Sequence, residues 1–260
     1  MCKFTRISSY ICACVLTLFI TFNCWASELV DVIAKAKPSI VGVGVYAPLA
    51  TVSHQLEGTG FVVGDGHYVV TNEHVINSEL EEGIKSQRVI FVPNGRLMRT
   101  ISIEAIYTDA DADIAIVKIA EQLPALTLQA KDKISPDGSN ILITGFPIGA
   151  VLGLFPATHQ GIVAALTPNV RPAQHSSQIT QQYLDRLQQP MLIYQLDITA
   201  YPGNSGSPVY LSTTGEVIAV INKVFVKQTK ESAISDPSGI TYAIPISFVH
   251  ALAEKHNIQL

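Results

Sequence analysis

What most limits the folds open to this 260-residue chain is its rhythm. Short Val- and Ile-rich runs recur along it, each broken by turn residues such as Gly64-Asp65-Gly66 or Asn94-Gly95. A helix needs apolar residues at 3.6-residue spacing over about ten positions or more, whereas brief runs bounded by glycine suit strands. The reading is an all-β fold, sandwich or barrel. Two segments follow the helical period instead. In Ser27 to Ala36, Leu29, Val32, Ile33 and Ala36 share a face, with Ser27 as cap and Pro38 as stop. In Ser247 to Lys255, Phe248, Val249, Ala251 and Leu252 form the expected docking face.

The first 26 residues have a different purpose. Lys3 and Arg6 precede an apolar stretch from Ile11 to Phe22, and Cys24-Trp25-Ala26 ends in a small residue suited to cleavage before Ser27. This is the form of a secretory signal peptide, too short in its apolar part for a spanning helix. Residues 1–26 are therefore assigned to export, with no stable membrane anchor left after cleavage. All four cysteines (Cys2, Cys12, Cys14, Cys24) lie within it, so the exported chain is expected to fold without disulfides. The formal net charge is −4, and it becomes more acidic once Lys3 and Arg6 are gone. A surface of that sign argues against nucleic acid as a partner.

The chemistry gathers at three places. Tyr201-Pro202-Gly203-Asn204-Ser205-Gly206-Ser207-Pro208 sets a serine between glycines, which permit a tight turn that lifts one hydroxyl out of the fold. The same turn can aim the N–H groups of Gly203 and Ser205 at one point, as an oxyanion hole requires. A serine needs a base, and His74 follows the apolar run Tyr68 to Thr71. The base needs an orienting carboxylate, and Asp109, Asp111 and Asp113 precede the run Ile114 to Ile119. Asp113 is preferred because it directly abuts that buried run. The three aspartates lack the glycine and distal glutamate of a calcium loop, and no His/Asp/Glu set has metal-ligand spacing, so no cofactor is expected. The order His, Asp, Ser is one of the few in which such a triad recurs.

These blocks together resemble the trypsin-like serine proteases of the HtrA/Deg group. Gly58-Thr59-Gly60-Phe61-Val62-Val63 with Val70 to Val75 is similar to the family's histidine block. Asp113-Ile114-Ala115 is similar to its aspartate block, and Gly203-Asn204-Ser205-Gly206 to its nucleophile block. Gly215 to Ile218 and Gly239 to Pro245 resemble its pocket-flanking strands. The resemblance implies two Greek-key six-stranded β-barrels of the chymotrypsin/trypsin type with short N- and C-terminal helices. Residues 27–121 would hold the first helix and the first barrel (about 39–121) with His74 and Asp113. Residues 122–260 would hold a linker near Lys131 to Ser139, the second barrel (about 138–245) with Ser205, and the closing helix, docked on barrel two.

It further implies a bacterial, exported endopeptidase, periplasmic or secreted, that cuts unfolded or extended polypeptide. The pocket base would lie at Thr199 and Ala200, its walls at Asn222, Lys223, Val224 and Phe225 and at Thr241 and Tyr242. Without an acidic residue at the base, a small or medium uncharged side chain is the expected guest, and Lys223 turned inward would instead favour an acidic one. Asn204 excludes the ion pair by which digestive relatives trap a freed N-terminus. Three features depart from the HtrA pattern. Ser207 stands where glycine is usual, as in glutamyl endopeptidases. A glutamine-rich insertion spans 170–190, with a helix expected over Ser177 to Gln188. No PDZ domain follows, so control by peptide capture on one is not expected. Monomer and trimer both stay open, and the alternative function is a catalytically silent peptide-binding or chaperone protein on the same fold.

Overall fold

The computed structural model of the protein describes residues 28–78, 86–94, 97–147, 154–169, 188, 190–224 and 239–260. The expected signal segment, the expected cap Ser27, most of the expected 170–190 insertion with its helix, and Phe225 lie outside the described residues.

Helix α1 covers 28–36 and runs into a 3-10 turn at Lys37–Ser39, the proline sitting in the position where a missing N–H does no harm. Six strands follow: β1 (Ile40–Tyr46), β2 (His54–Val63), β3 (Tyr68–Thr71), β4 (Gln87–Asn94), β5 (Leu97–Asp109) and β6 (Ile114–Ile119), with the one-turn helix α2 (Glu73–Ile76) after β3. Six more are β7 (Asn140–Gly145), β8 (Ala157–Pro168), β9 (Leu192–Asp197), β10 (Pro208–Leu211), β11 (Val217–Val224) and β12 (Ile240–Pro245), and helix α3 (Ser247–Lys255) closes the chain. Each set forms a closed antiparallel barrel, in the order β1-β2-β3-β6-β5-β4 and again β7-β8-β9-β12-β11-β10. The pairings β1–β4 and β7–β10 complete the two circuits and leave no edge along them. The choice between sandwich and barrel is thereby settled.

The apolar runs are continuous because both faces of the strands are covered. In β6, Ala115, Val117 and Ile119 point into barrel one, while Ile114 and Ile116 join a second core shared by both barrels. In β10, Val209 faces the interior of barrel two and Tyr210 the shared core. Phe61, Phe91, Phe146 and Tyr210, all buried, fill that shared layer. Burying one such side chain fully is worth about 1.5–3 kcal/mol, so this layer joins the barrels firmly.

The two terminal helices cross over. The predicted face of α1 (Leu29, Val32, Ile33, Ala36) packs on the shared core. A Cβ added at Gly215, in the β10–β11 turn, would come within 3.6 Å of Val32. The helix that precedes barrel one thus leans on barrel two. In α3, Val249, Leu252 and Ala253 are buried, but Ala251 is exposed and drops out of the expected face. This helix contacts β12 of barrel two, as expected, and also β5 and β6 of barrel one. The physical reason is that its apolar stripe bridges the seam, and the chain end then lies beside Gly64, where an added Cβ would meet Gln259 O at 2.8 Å.

Candidate active site

The acid–base half is built at the top of barrel one. Strand β3 ends at Thr71, and Asn72 turns the chain into α2 from an extended backbone (φ −85°, ψ 153°). An asparagine there ordinarily caps the helix with its side-chain oxygen. It does not do so here. Its Nδ2 instead donates to the main-chain oxygen of Asp113, 3.0 Å away on the β5–β6 turn. The vacated capping task passes to Asp113, whose Oδ1 accepts the N–H of His74 at 2.9 Å. The other carboxylate oxygen, Oδ2, lies 2.7 Å from His74 Nδ1. A carboxylate in that position holds the proton on Nδ1 and leaves Nε2 free to act as a base. Asp113 adopts a left-handed backbone (φ +53°), uncommon outside glycine but tolerated by aspartate.

Of the three aspartates, Asp109 shapes the turn, its Oδ1 accepting the N–H groups of Asp111 and Ala112 at 3.1 Å each. The His74 side chain keeps 33 % of its surface exposed and Asp113 only 19 %, so the carboxylate is the more sheltered of the two.

The half that carries Ser205, the nucleophile expected from the sequence, is the β9–β10 connection of barrel two. It consists of two successive turns that share Asn204: Asn204 N donates to Tyr201 O, and Ser207 N to Asn204 O, each at 3.0 Å. Their third positions are Gly203 (φ +99°) and Gly206 (φ +84°), with Pro202 ahead of Gly203, the residue order of type II turns. Ser205 is half-buried between them. Its carbonyl accepts the N–H of Thr59 at 2.8 Å, which ties the turn to β2 of barrel one. Among the described residues, neither Gly203 N nor Ser205 N donates a hydrogen bond, and none joins Ser205 Oγ to His74.

The pocket residues fare variously. Thr199 is half-buried, while Ala200 is fully buried in the core of barrel two. Thr241 is fully buried and its hydroxyl donates to Ile198 O at 2.7 Å, whereas Tyr242 is half-buried. Lys223 and Val224 are described only as backbone of β11. Asn222, expected in the pocket wall, turns its Nδ2 to Asp113 Oδ2 at 2.9 Å. That contact brings barrel two onto the carboxylate of barrel one. Three polar residues escaped the sequence reading: Thr59, Asn72 and this function of Asn222. Asn72 carries a local signal, an asparagine at a strand-to-helix junction, but the partner it serves does not lie nearby in the chain.

Residues 58–220 match the family model described as the trypsin-like peptidase domain. The chain is 26 % identical over 203 residues to a DegP-like periplasmic serine endoprotease of Halomonas elongata, covering 76 % of this chain and 34 % of that protein. It is 24 % identical over 232 residues to the serine endoprotease DegS of Salmonella typhimurium, covering 86 % and 55 %. It thus spans about a third to about half the length of these curated relatives. A serine endoprotease structure from Yersinia pestis shares the fold at a TM-score of 0.59 and 23 % identity, over 87 % of this chain and 65 % of that one. A protease from M. tuberculosis in its active form does so at 0.62 and 17 %, over 88 % and 85 %.

Proposed function

The chain belongs to the trypsin-like peptidase family, and from that premise we propose that it is a serine endopeptidase working through Ser205, His74 and Asp113. The observation that carries the reading is the 2.7 Å contact of His74 Nδ1 with Asp113 Oδ2, on a carboxylate that also accepts from Asn222. A histidine so held exposes Nε2 as a base toward the cleft. Ser205 Oγ attacks the scissile carbonyl, and His74 takes its proton and returns it to the leaving amine. Asp113 keeps the imidazole in the required tautomer and stabilises the imidazolium. The unengaged N–H groups of Gly203 and Ser205 receive the oxyanion, about 3 kcal/mol for each donor of this kind. The serine–histidine hydrogen bond closes when substrate excludes water, apo sites of this type commonly being looser than their complexes.

The substrate is extended polypeptide, paired by its backbone to the end of β11. A pocket based on Thr199, without an acidic group, admits small or medium uncharged side chains. The export signal at 1–26 and the periplasmic designation of the DegP-like relatives support action in the periplasm or beyond it. The test is labelling of the protein, starting at Ser27, with a fluorophosphonate probe beside a Ser205→Ala control. Labelling of the wild type alone is expected. A folded wild type that neither labels nor cleaves unfolded protein would transfer the reading to peptide binding without catalysis.

A further inference from the structure

Thr59 lies in the middle of β2, paired with Gly42 on β1 and flanked by Gly58 and Gly60. It is fully buried, and every polar group it has is engaged. Its N–H donates to Ser205 O at 2.8 Å, and its carbonyl accepts from Thr71 Oγ1 at 2.8 Å. Its hydroxyl oxygen accepts the N–H of Phe146 at 3.1 Å and lies 2.7 Å from Gly203 O. The direction of the last bond is determined by its neighbours. Phe146 N can only donate and Gly203 O can only accept, so the hydroxyl proton must point at the Gly203 carbonyl.

That bond holds one particular peptide plane. The peptide joining Gly203 and Asn204 is pinned at both ends, its C=O by Thr59 Oγ1 and its N–H by Tyr201 O. The peptide joining Ser205 and Gly206 is pinned likewise, its C=O by Thr59 N and its N–H by Ile221 O at 2.9 Å. These held planes alternate with the two peptides that carry Gly203 N and Ser205 N, one before the first held plane and one between the two, and this pair has no acceptor among the described residues. The glycines permit the approach. A Cβ on Gly58 would stand 2.9 Å from Ser205 O, and one on Gly206 would stand 2.1 Å from Thr59 O.

We infer that Thr59 is a positioning residue for the oxyanion hole: it reaches from barrel one to fix alternate peptides of the barrel-two turn, so that the intervening N–H groups converge. This rests on the proposed endopeptidase reading. A peptide plane released from such a bond can rotate about its two flanking dihedrals, and turning one donor away removes its share of transition-state stabilisation. Valine keeps the shape but leaves Phe146 N and Gly203 O without this partner, so stability falls as well, and the positioning function is read from kcat and aldehyde affinity.

The experiment compares wild type, Thr59→Val and Thr59→Ser. Each is assayed for kcat and KM on a denatured protein or peptide substrate, and for the affinity of a peptide aldehyde, whose adduct puts an oxygen in the hole. Thr59→Val is expected to lower kcat by about 100-fold with KM nearly unchanged, the size seen when one oxyanion donor is lost. Aldehyde affinity is expected to fall in step. Thr59→Ser, which keeps the hydroxyl, is expected to retain at least about a third of the rate, equivalent to losing no donor. Thr59→Val with kcat and aldehyde affinity within threefold of wild type overturns the inference, and so does an equal loss in Thr59→Ser. If the wild type itself is inert, the endopeptidase reading fails, and a crystal structure of Thr59→Val still decides this one. A turned Gly203 carbonyl supports it, and an unmoved carbonyl with no new partner overturns it.

Discussion

The two halves of the proposed active site reach fixed geometry by opposite means. On the barrel-one side, side chains saturate one another. Asp113 accepts from His74 N, His74 Nδ1 and Asn222 Nδ2, and its carbonyl accepts from Asn72. On the barrel-two side the backbone is held, by left-handed glycines and by Thr59, and side-chain atoms are left over. Asn204 Nδ2, Asn204 Oδ1 and Ser207 Oγ are buried with no partner among the described residues. Ser207 Oγ and Asn204 Oδ1 crowd Gly145, where a Cβ would meet them at 2.1 and 2.9 Å. A buried polar group without a partner costs about 1–3 kcal/mol. Precision is therefore carried by side-chain chemistry around the base and by backbone shape around the nucleophile. The first arrangement leaves over one such atom, Asn72 Oδ1, and the second leaves three, so polar waste is greater around Ser205 but not confined to it.

The largest effect should come from cutting the saturated side at its centre. Asp113→Asn preserves shape but presents an amide to His74 Nδ1, and kcat should fall by about 10⁴-fold as the imidazole takes the wrong tautomer. Burst kinetics with an activated ester would measure it, and a loss below tenfold would break the comparison at its strongest point. A smaller loss is expected from Asn72. Asn72→Ala frees the Asp113 main chain and leaves its carbonyl unserved, lowering stability by about 1–2 kcal/mol. Asn72→Ser can cap α2 directly and recover part of that stability. Neither restores the bond to Asp113, so both should lower kcat while separating in urea midpoint. Equal kcat for Asn72→Ser and wild type would show that Asp113 needs no such hold.

The contrast also explains what could be read in the chain. The run Ile114 to Ile119 was legible because burial on both faces leaves half-buried Lys118 as its one polar interruption. The two turns after β9 were legible because Pro202, Gly203 and Gly206 are what their dihedrals demand. Ala251 was misjudged, since the stripe of α3 depends on two barrels meeting beneath it. Thr59 and Asn222 were missed for a related reason. Their partners are 144 and 109 residues distant, and no local pattern marks a hydroxyl or an amide for a contact that only folding creates.

The leftover atoms supply the next test, with a smaller effect of opposite sign. Ser207→Ala removes a buried hydroxyl that has no partner, so stability should stay level or rise by up to about 1 kcal/mol. Urea denaturation of the wild type and variant measures this directly. A loss beyond about 1 kcal/mol would mean that the hydroxyl is satisfied in solution and that the nucleophile side is less wasteful than drawn.

The smallest effect concerns pH, and it too should fall on barrel two. His159 lies on β8 opposite Ile143, its ring centroid 5.9 Å from that of Tyr201, the residue that opens the first nucleophile turn. Its Nε2 is buried without a partner, and burial pushes its pKa below the ordinary imidazole value. The unfolded chain takes up this proton near pH 6.5 while the folded chain resists it, so the unfolded state binds more protons as the pH falls. The stability associated with a neutral His159 is complete above about pH 6.5 and drains away below it. The urea midpoint of the wild type should therefore fall between pH 7.5 and 5.5. In His159→Phe, which keeps an aromatic ring against Tyr201, the decline should be shallower by the share that His159 contributes. Parallel declines would place the acid sensitivity elsewhere and leave the nucleophile turn indifferent to the charge beneath it. A shallower decline would make His159, which packs against the residue that opens this turn, one source of the acid sensitivity.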